Sequence, residues 1–214
     1  ITIAVRMGGP EVTGNMKLKL ALAKAKANNV PKDNIQRAIQ KGAGAQDGSN
    51  FEEITYEGYG PAGVAVMVDA LTDNRNRTAA DVRHLFSKHG GNLGENGCVG
   101  WMFKRKGVFA IDGDAGYNED DLMMLVLDAG AEDLKSEDGA FEITTEPEDF
   151  EAVEKVLADN NVAVMMSEIS MIPDTMAELS PEDAAKVQRL IDALEDLDDV
   201  QDVFTNADLP DEEE

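Results

Sequence analysis

The sequence holds one cysteine, one tryptophan and two histidines in 214 residues. Cys98 alone cannot close an internal disulfide, and it lacks the CxxC spacing or His-rich surroundings of a zinc site. His84 and His89 stand five residues apart, on different sides of a helix, so they build neither a metal pair nor a nucleophile–base relay. Long apolar runs are missing too. Nothing approaches the roughly 18 residues of a membrane span, and no signal-peptide pattern is present. Cations are scarce, 19 Lys and Arg against 43 Asp and Glu, for a net charge of −24. Such an acidic total argues against indiscriminate binding of polyanions, because phosphate attraction supplies most non-specific affinity. These absences point to a reducing, aqueous, cytoplasmic setting with no membrane partner, no metal and no cofactor.

What is present reads as globular. The chain is 43% hydrophobic and 29% charged, and its length can carry two or three compact domains. Its charge is divided unevenly. Residues 1–50 hold eight Lys and Arg against three Asp and Glu, residues 51–111 are balanced, and residues 112–214 carry a net −29. The first fifty residues are therefore the candidate basic face.

The ITIAVRMGG stretch opens apolar with no capping residue, which predicts the tail of a helix that starts before Ile1 and ends at Gly8-Gly9-Pro10. A second helix is predicted over 15–27. Stepping 100° per residue, Met16, Leu20, Ala23 and Ala27 form one apolar stripe, and Leu18, Ala21, Leu22 and Ala25 another. Lys17 with Lys24, and Lys19 with Lys26, run along the seams. Two stripes suit the middle helix of a bundle. A third helix begins at Pro31, packs through Ile35, Ala38 and Ile39, stops at Gly42, and exposes Arg37 and Lys41 one turn apart. These cations suit phosphate contacts or merely solvate a bundle surface. Residues 42–50 read as a linker.

The pattern then becomes mixed. Strands are predicted over 54–56 and 64–71, a helix over 79–89 capped by Thr78, and a hairpin of 99–104 and 108–111 around Lys106-Gly107. The acidic part predicts helices over 119–129, 147–159 and 181–197, with strands over 133–136, 140–144, 163–169 and 200–205. Strand, helix, strand, strand over 62–111 is an incomplete ferredoxin-like unit, and the final helix and strand supply its missing parts. The expectation is α+β: a helical bundle over 1–48, a ferredoxin-like domain of 51–111 with 172–214, and an acidic α+β domain over 112–171 inserted in it.

Motifs for chemistry are few. GYGPAG lacks the Lys-Ser/Thr of a phosphate loop, and Pro61 removes a donor, so it reads as a tight strand connection. In TDNRNRT (72–78), Arg75 and Arg77 project ahead of a helix start, placed either to grip phosphate or to pair with the acidic C-terminal part. Arg83, Lys88 and Lys104-Arg105-Lys106 extend that basic surface. Trp101 and Phe103 share one side of a predicted strand, with Phe109 on its neighbour; a buried face is the better reading than base stacking. The carboxylates around 192–199 lack EF-hand spacing, and the methionine pairs at 123–124 and 165–166 read as core filler. No catalytic constellation emerges.

ITYEGYGPAG (54–63), LTDNRNRTAADVRHLFSKHGGNLGENG (71–97), EISMIP (168–173) and RLIDALEDLDDVQDVFTN (189–206) together resemble the YebC family, in order and over essentially the whole chain. The resemblance implies three domains, a helical bundle and two α+β domains, in a cleft-containing monomer. It implies a DNA-binding transcriptional regulator; mitochondrial relatives act as translational activators on the ribosome. Members usually open with a strongly basic segment ahead of the region matching Ile1. The resulting expectation is a non-enzymatic regulator that binds DNA, with ribosomal RNA on the ribosome or a basic protein partner as alternatives.

Overall fold

The computed structural model describes residues 1–44 and 51–210, in two compact units, residues 1–52 and 53–214. Most of the predicted 42–50 linker lies outside the described residues.

The first unit has three helices, α1 (Thr2–Gly8), α2 (Met16–Ala27) and α3 (Lys32–Ala43). Asn15 starts α2, its Oδ1 accepting from the Leu18 N–H at 3.0 Å, and its Nδ2 donates to Ala4 O at 2.8 Å and Gly9 O at 2.9 Å. One buried side chain thus caps one helix and ties down the end of another. The middle member is α1, which packs on both α2 and α3, rather than α2 as its two stripes suggest. Ala4, Val5 and Leu18 form the core with Leu22 and Ile39 against them. The α2 stripe of Met16, Leu20, Ala23 and Ala27 is not buried among the described residues: Ala23 and Ala27 are exposed, Met16 and Leu20 half-buried. Gly42 does not stop α3 but lies buried inside it. A Cβ there would come within 2.6 Å of Thr2 O and 2.7 Å of Val5 Cβ, so glycine is what lets α3 approach α1.

The second unit contains two four-stranded sheets. The first, in the order β3-β1-β2-β8, comprises β1 (Glu52–Tyr59), β2 (Ala65–Thr72), the short β3 (Asn92–Leu93), which the sequence did not signal, and β8 (Val200–Thr205). Its helices are α4 (Arg75–Lys88) and α7 (Pro181–Glu195). Val64, Val66 and Val68 pack against Val82 and Phe86 of α4 and Val187, Leu190 and Leu194 of α7. Burying apolar faces of this size is the main favourable contribution to folding. The chain's last helix and strand therefore return to the first sheet, where β8 pairs antiparallel with β2.

The second sheet, in the order β5-β6-β4-β7, is built from β4 (Phe103–Asp112), α5 (Glu119–Asp128), β5 (Ala131–Glu137), β6 (Ala140–Thr145), α6 (Phe150–Asp159) and β7 (Met166–Pro173). This strand-helix-strand-strand-helix-strand order is ferredoxin-like and complete in one stretch of chain. It claims the strand that the sequence reading assigned to the first sheet. The predicted hairpin around Lys106-Gly107 is instead one continuous strand, with Gly107 paired to Thr145 on one side and Ile169 on the other. Gly107 is there for space and not for a turn, since a Cβ would press on Thr145 Oγ1 and stand 2.7 Å from the Phe150 ring. Phe150 in turn stacks on Phe109 at a centroid distance of 4.7 Å. In the first sheet, β2 lies between β1 and β8. Between the two sheets, Ala65, Met67, Val99 and Phe103 make a small shared core with Met171 and Phe204.

Two boundaries differ from expectation for identifiable reasons. Helix α4 begins a turn earlier than Thr78, because Asn74 caps it by accepting from Arg77 N–H at 3.1 Å while Thr78 is buried within the helix. Strand β7 begins later than 163: residues 162–164 are irregular, and there the Ala163 N–H donates to Tyr117 Oη at 2.9 Å in place of a ladder bond. Among the described residues no helix is long and apolar enough to cross a membrane.

Candidate nucleic-acid interface

On α2 the buried stripe of Leu18, Leu22 and Ala25 is bordered by two lysine rows. Lys17 and Lys24 lie seven residues apart and so almost in line. Lys19 and Lys26 form the second row on the other border. Lys17, Lys24 and Lys26 are exposed and Lys19 is half-buried; Lys17 Nζ also reaches Met7 Sδ at 4.0 Å. On α3, Arg37 and Lys41 are exposed one turn apart, with Arg37 Nη1 donating to Asn34 Oδ1 at 3.5 Å. Six candidate cations are thus carried by α2 and α3, each packed on α1, in a segment with an excess of positive charge. Lysine heads on flexible stems, with their carbons along the helix, suit contacts to phosphates that need no fixed register.

The candidates of the second unit are arranged differently. Arg75 and Arg77 belong to the first turn of α4, not to a loop ahead of it. Arg77 is bonded to Asp199 at 2.9 Å and to Asp73 at 3.1 Å. Thr78 Oγ1 lies 2.8 Å from both Asp199 Oδ2 and Thr72 Oγ1, hydrogen-bonded to each, and both threonines are buried. This network fastens the start of α4 to the α7–β8 turn. Burial alone would raise the Asp199 carboxyl, but hydrogen bonds from Arg77 and Thr78 outweigh it and hold the group below its ordinary range. The bonds to Asp199 and then Asp73 raise Arg77 in turn. Arg83 and Lys88 are exposed, yet they project from different sides of α4; Lys88 is three turns from Arg77 along one line, and Arg83 is not.

The Lys104-Arg105-Lys106 run is likewise not an open basic patch. Lys104 pairs with Asp174 at 3.1 Å. Lys106 is held by Glu132 at 2.8 Å and by Glu146, and these bonds, Glu132 first, raise its Nζ above the ordinary lysine value. These partners arrive from strands and turns distant in sequence, so the run of three cations by itself does not reveal them.

Trp101 contradicts the buried-face expectation. It sits in a 3-10 turn just before β4 and is 73% exposed, whereas Phe103 and Phe109 are buried. Its Nε1 donates to Cys98 O at 3.1 Å. Among the described residues no group of three or more His, Cys, Asp or Glu is placed to hold a metal ion.

Residues 51–207 match the family described as TACO1/YebC second and third domain, and residues 1–45 match the TACO1/YebC protein N-terminal domain. A protein of Desulforamulus reducens named "Probable transcriptional regulatory protein" is 56% identical over 207 residues, covering 96% of this chain and 86% of its own. A protein of Clostridium tetani with the same name is 55% identical over 212 residues, covering 99% of this chain and 86% of its own. The crystal structure of a conserved hypothetical protein from Aquifex aeolicus superposes with a TM-score of 0.84 at 45% identity, over 98% of this chain and 86% of that one.

Proposed function

The chain belongs to the TACO1/YebC family, and from that premise we propose that it is a DNA-binding regulator of gene expression whose N-terminal helices grip phosphates. The observation that carries this reading is the lysine and arginine surface of α2 and α3 within the one segment of net positive charge in a chain of net −24. A local basic surface on an acidic molecule gives orientation: the phosphate backbone is attracted to one region and repelled by the remainder. The regulator works by binding and not by catalysis, as a monomer in the cytoplasm. Arg77 has a structural part in this account, and Arg75, Arg83 and Lys88 are secondary contacts.

A second reading, a ribosome-associated translation factor that uses the same cations on ribosomal RNA, is favoured by exposed Trp101, because RNA offers unpaired bases and duplex DNA does not. Titrating the full chain against labelled duplex DNA over a range of salt tests the first. The logarithm of affinity should fall linearly with the logarithm of salt, with a slope of about −0.9 per phosphate engaged. No measurable duplex binding near physiological salt, alongside clear co-sedimentation with ribosomes, would transfer the function to RNA. Retained function after charge reversal of the α2 lysines would move it to a protein adaptor.

A further inference from the structure

Trp101 is the only tryptophan of the chain and stands 73% exposed, with Tyr59 41% exposed. Large aromatic rings are normally kept for the core, where burying them is most favourable. These two share an anchor. The Trp101 Nε1–H donates to Cys98 O at 3.1 Å and the Tyr59 hydroxyl donates to the same oxygen at 3.3 Å. Each ring thereby uses its donor internally, and what remains for a ligand is flat carbon and π surface.

The anchor itself is held from below. The buried Glu57 carboxylate accepts from the N–H groups of Gly97 at 2.6 Å, Val99 at 3.3 Å and Gly100, and Glu57 O accepts from Gly94 N–H at 2.9 Å. Glycine is required where this turn meets Glu57, because a Cβ on Gly100 would come within 2.5 Å of its Oε1. The turn is therefore preorganised, and little ordering is left to oppose binding. The carboxylate accepts from three backbone donors out of solvent, and burial followed by the nearby Glu57 raises the Cys98 thiol. The strand that leaves the turn continues Phe103, Lys104, Arg105; Lys104 pairs with Asp174 and Arg105 is exposed.

We infer that Tyr59 and Trp101 form a stacking platform for unpaired bases of single-stranded nucleic acid, an inference that rests on the nucleic-acid reading and adds base contact to it. Stacking suits every base because each has a π face, whereas bases inside a duplex cannot reach a ring on a protein surface. A protein hot spot would ring such an aromatic with further apolar surface; here the exposed neighbours along the chain are Gly94, Glu95, Asn96, Gly97 and Lys104.

As the sole tryptophan, Trp101 reports on its own occupancy. The full chain is titrated with an end-labelled oligouridine and with a duplex of equal length, following tryptophan fluorescence and, separately, label anisotropy. Oligouridine should quench Trp101 along the same curve as the anisotropy, and the duplex should not quench. Trp101→Ala should weaken oligouridine binding by about 5- to 100-fold, the range of one stacked base, leave duplex affinity unchanged, and leave the melting profile close to wild type because the ring is exposed. Trp101→Phe should retain most of the affinity, and Tyr59→Ala should lose part of it. Oligouridine binding with no quenching and no effect of Trp101→Ala overturns the platform and leaves the nucleic-acid reading intact. Binding of neither probe overturns both. Quenching by an unstructured peptide in place of oligouridine overturns the inference in favour of a protein ligand.

Discussion

Residues 1–50 carry eight cations among three carboxylates, whereas the cations at the start of α4 and along β4 sit among acids placed to receive them. In the helical unit cations outnumber acids in the sequence, and the helix rows keep Lys17, Lys24 and Lys26 on the surface. In the second unit, Arg77, Lys104 and Lys106 each reach a specific carboxylate delivered by a distant element. Positive residues thus have two uses in one chain. One set is an electrostatic surface; the other fastens secondary structure together.

The largest expected effect comes from inverting the first set. Replacing Lys17, Lys24 and Lys26 with Glu should lower duplex affinity by on the order of a hundredfold or more and reduce the salt slope by about three. The same number of exchanges spread over Arg83, Lys88 and Lys155 should move affinity several-fold at most. Equal losses from the two triple variants would break the distinction between the regions. Circular dichroism melts should separate binding from folding, because exposed substitutions away from caps and cores typically alter stability by no more than about 0.5 kcal/mol each.

The second set is sharpened by Thr78→Val, which keeps shape and removes the hydroxyl shared by Thr72 and Asp199. Leaving buried Thr72 and partly buried Asp199 short of a partner should cost about 1–3 kcal/mol, read from chemical denaturation. Duplex affinity of the folded variant should match wild type. A stable Thr78→Val protein with weakened DNA binding would place the start of α4 in the interface after all.

Local periodicity made the helices legible. The final helix was read over 181–197 and is Pro181–Glu195, burying Val187, Leu190, Ile191 and Leu194 as its 3.6-residue spacing requires. The strand at 200–205 was legible for the same reason. What periodicity cannot convey is partnership. Gly107 in the middle of β4 looks like a turn until Phe150, which needs its space, is placed above it. The second α2 stripe looks buried until α1 is seen to occupy the centre. Of the candidate site, the lysine rows were readable from helix geometry. Trp101 was not, because its exposure depends on Glu57 holding a turn 40 residues or more away in sequence. Three glycines within GENGCVG were the available signal that backbone and side chain approach closely there.

The smallest effect distinguishes the two regions by pH. Asp199 titrates below its ordinary value in the folded chain, so its contribution to stability is complete above that ordinary value and disappears as pH falls through the folded one. Asp199→Asn should therefore be less stable than wild type at neutral pH, and the two stability profiles should converge only at the acid end of that window. The sequence of α2 itself contains no acidic residue. The Lys17, Lys24, Lys26 triple variant leaves the Asp199, Arg77 and Thr78 network intact, so the acid loss that this network sets should remain as in wild type. If Asp199→Asn runs parallel to wild type, its carboxylate contributes nothing through charge, and the fastening of α4 to the α7–β8 turn rests on the threonine hydroxyls alone.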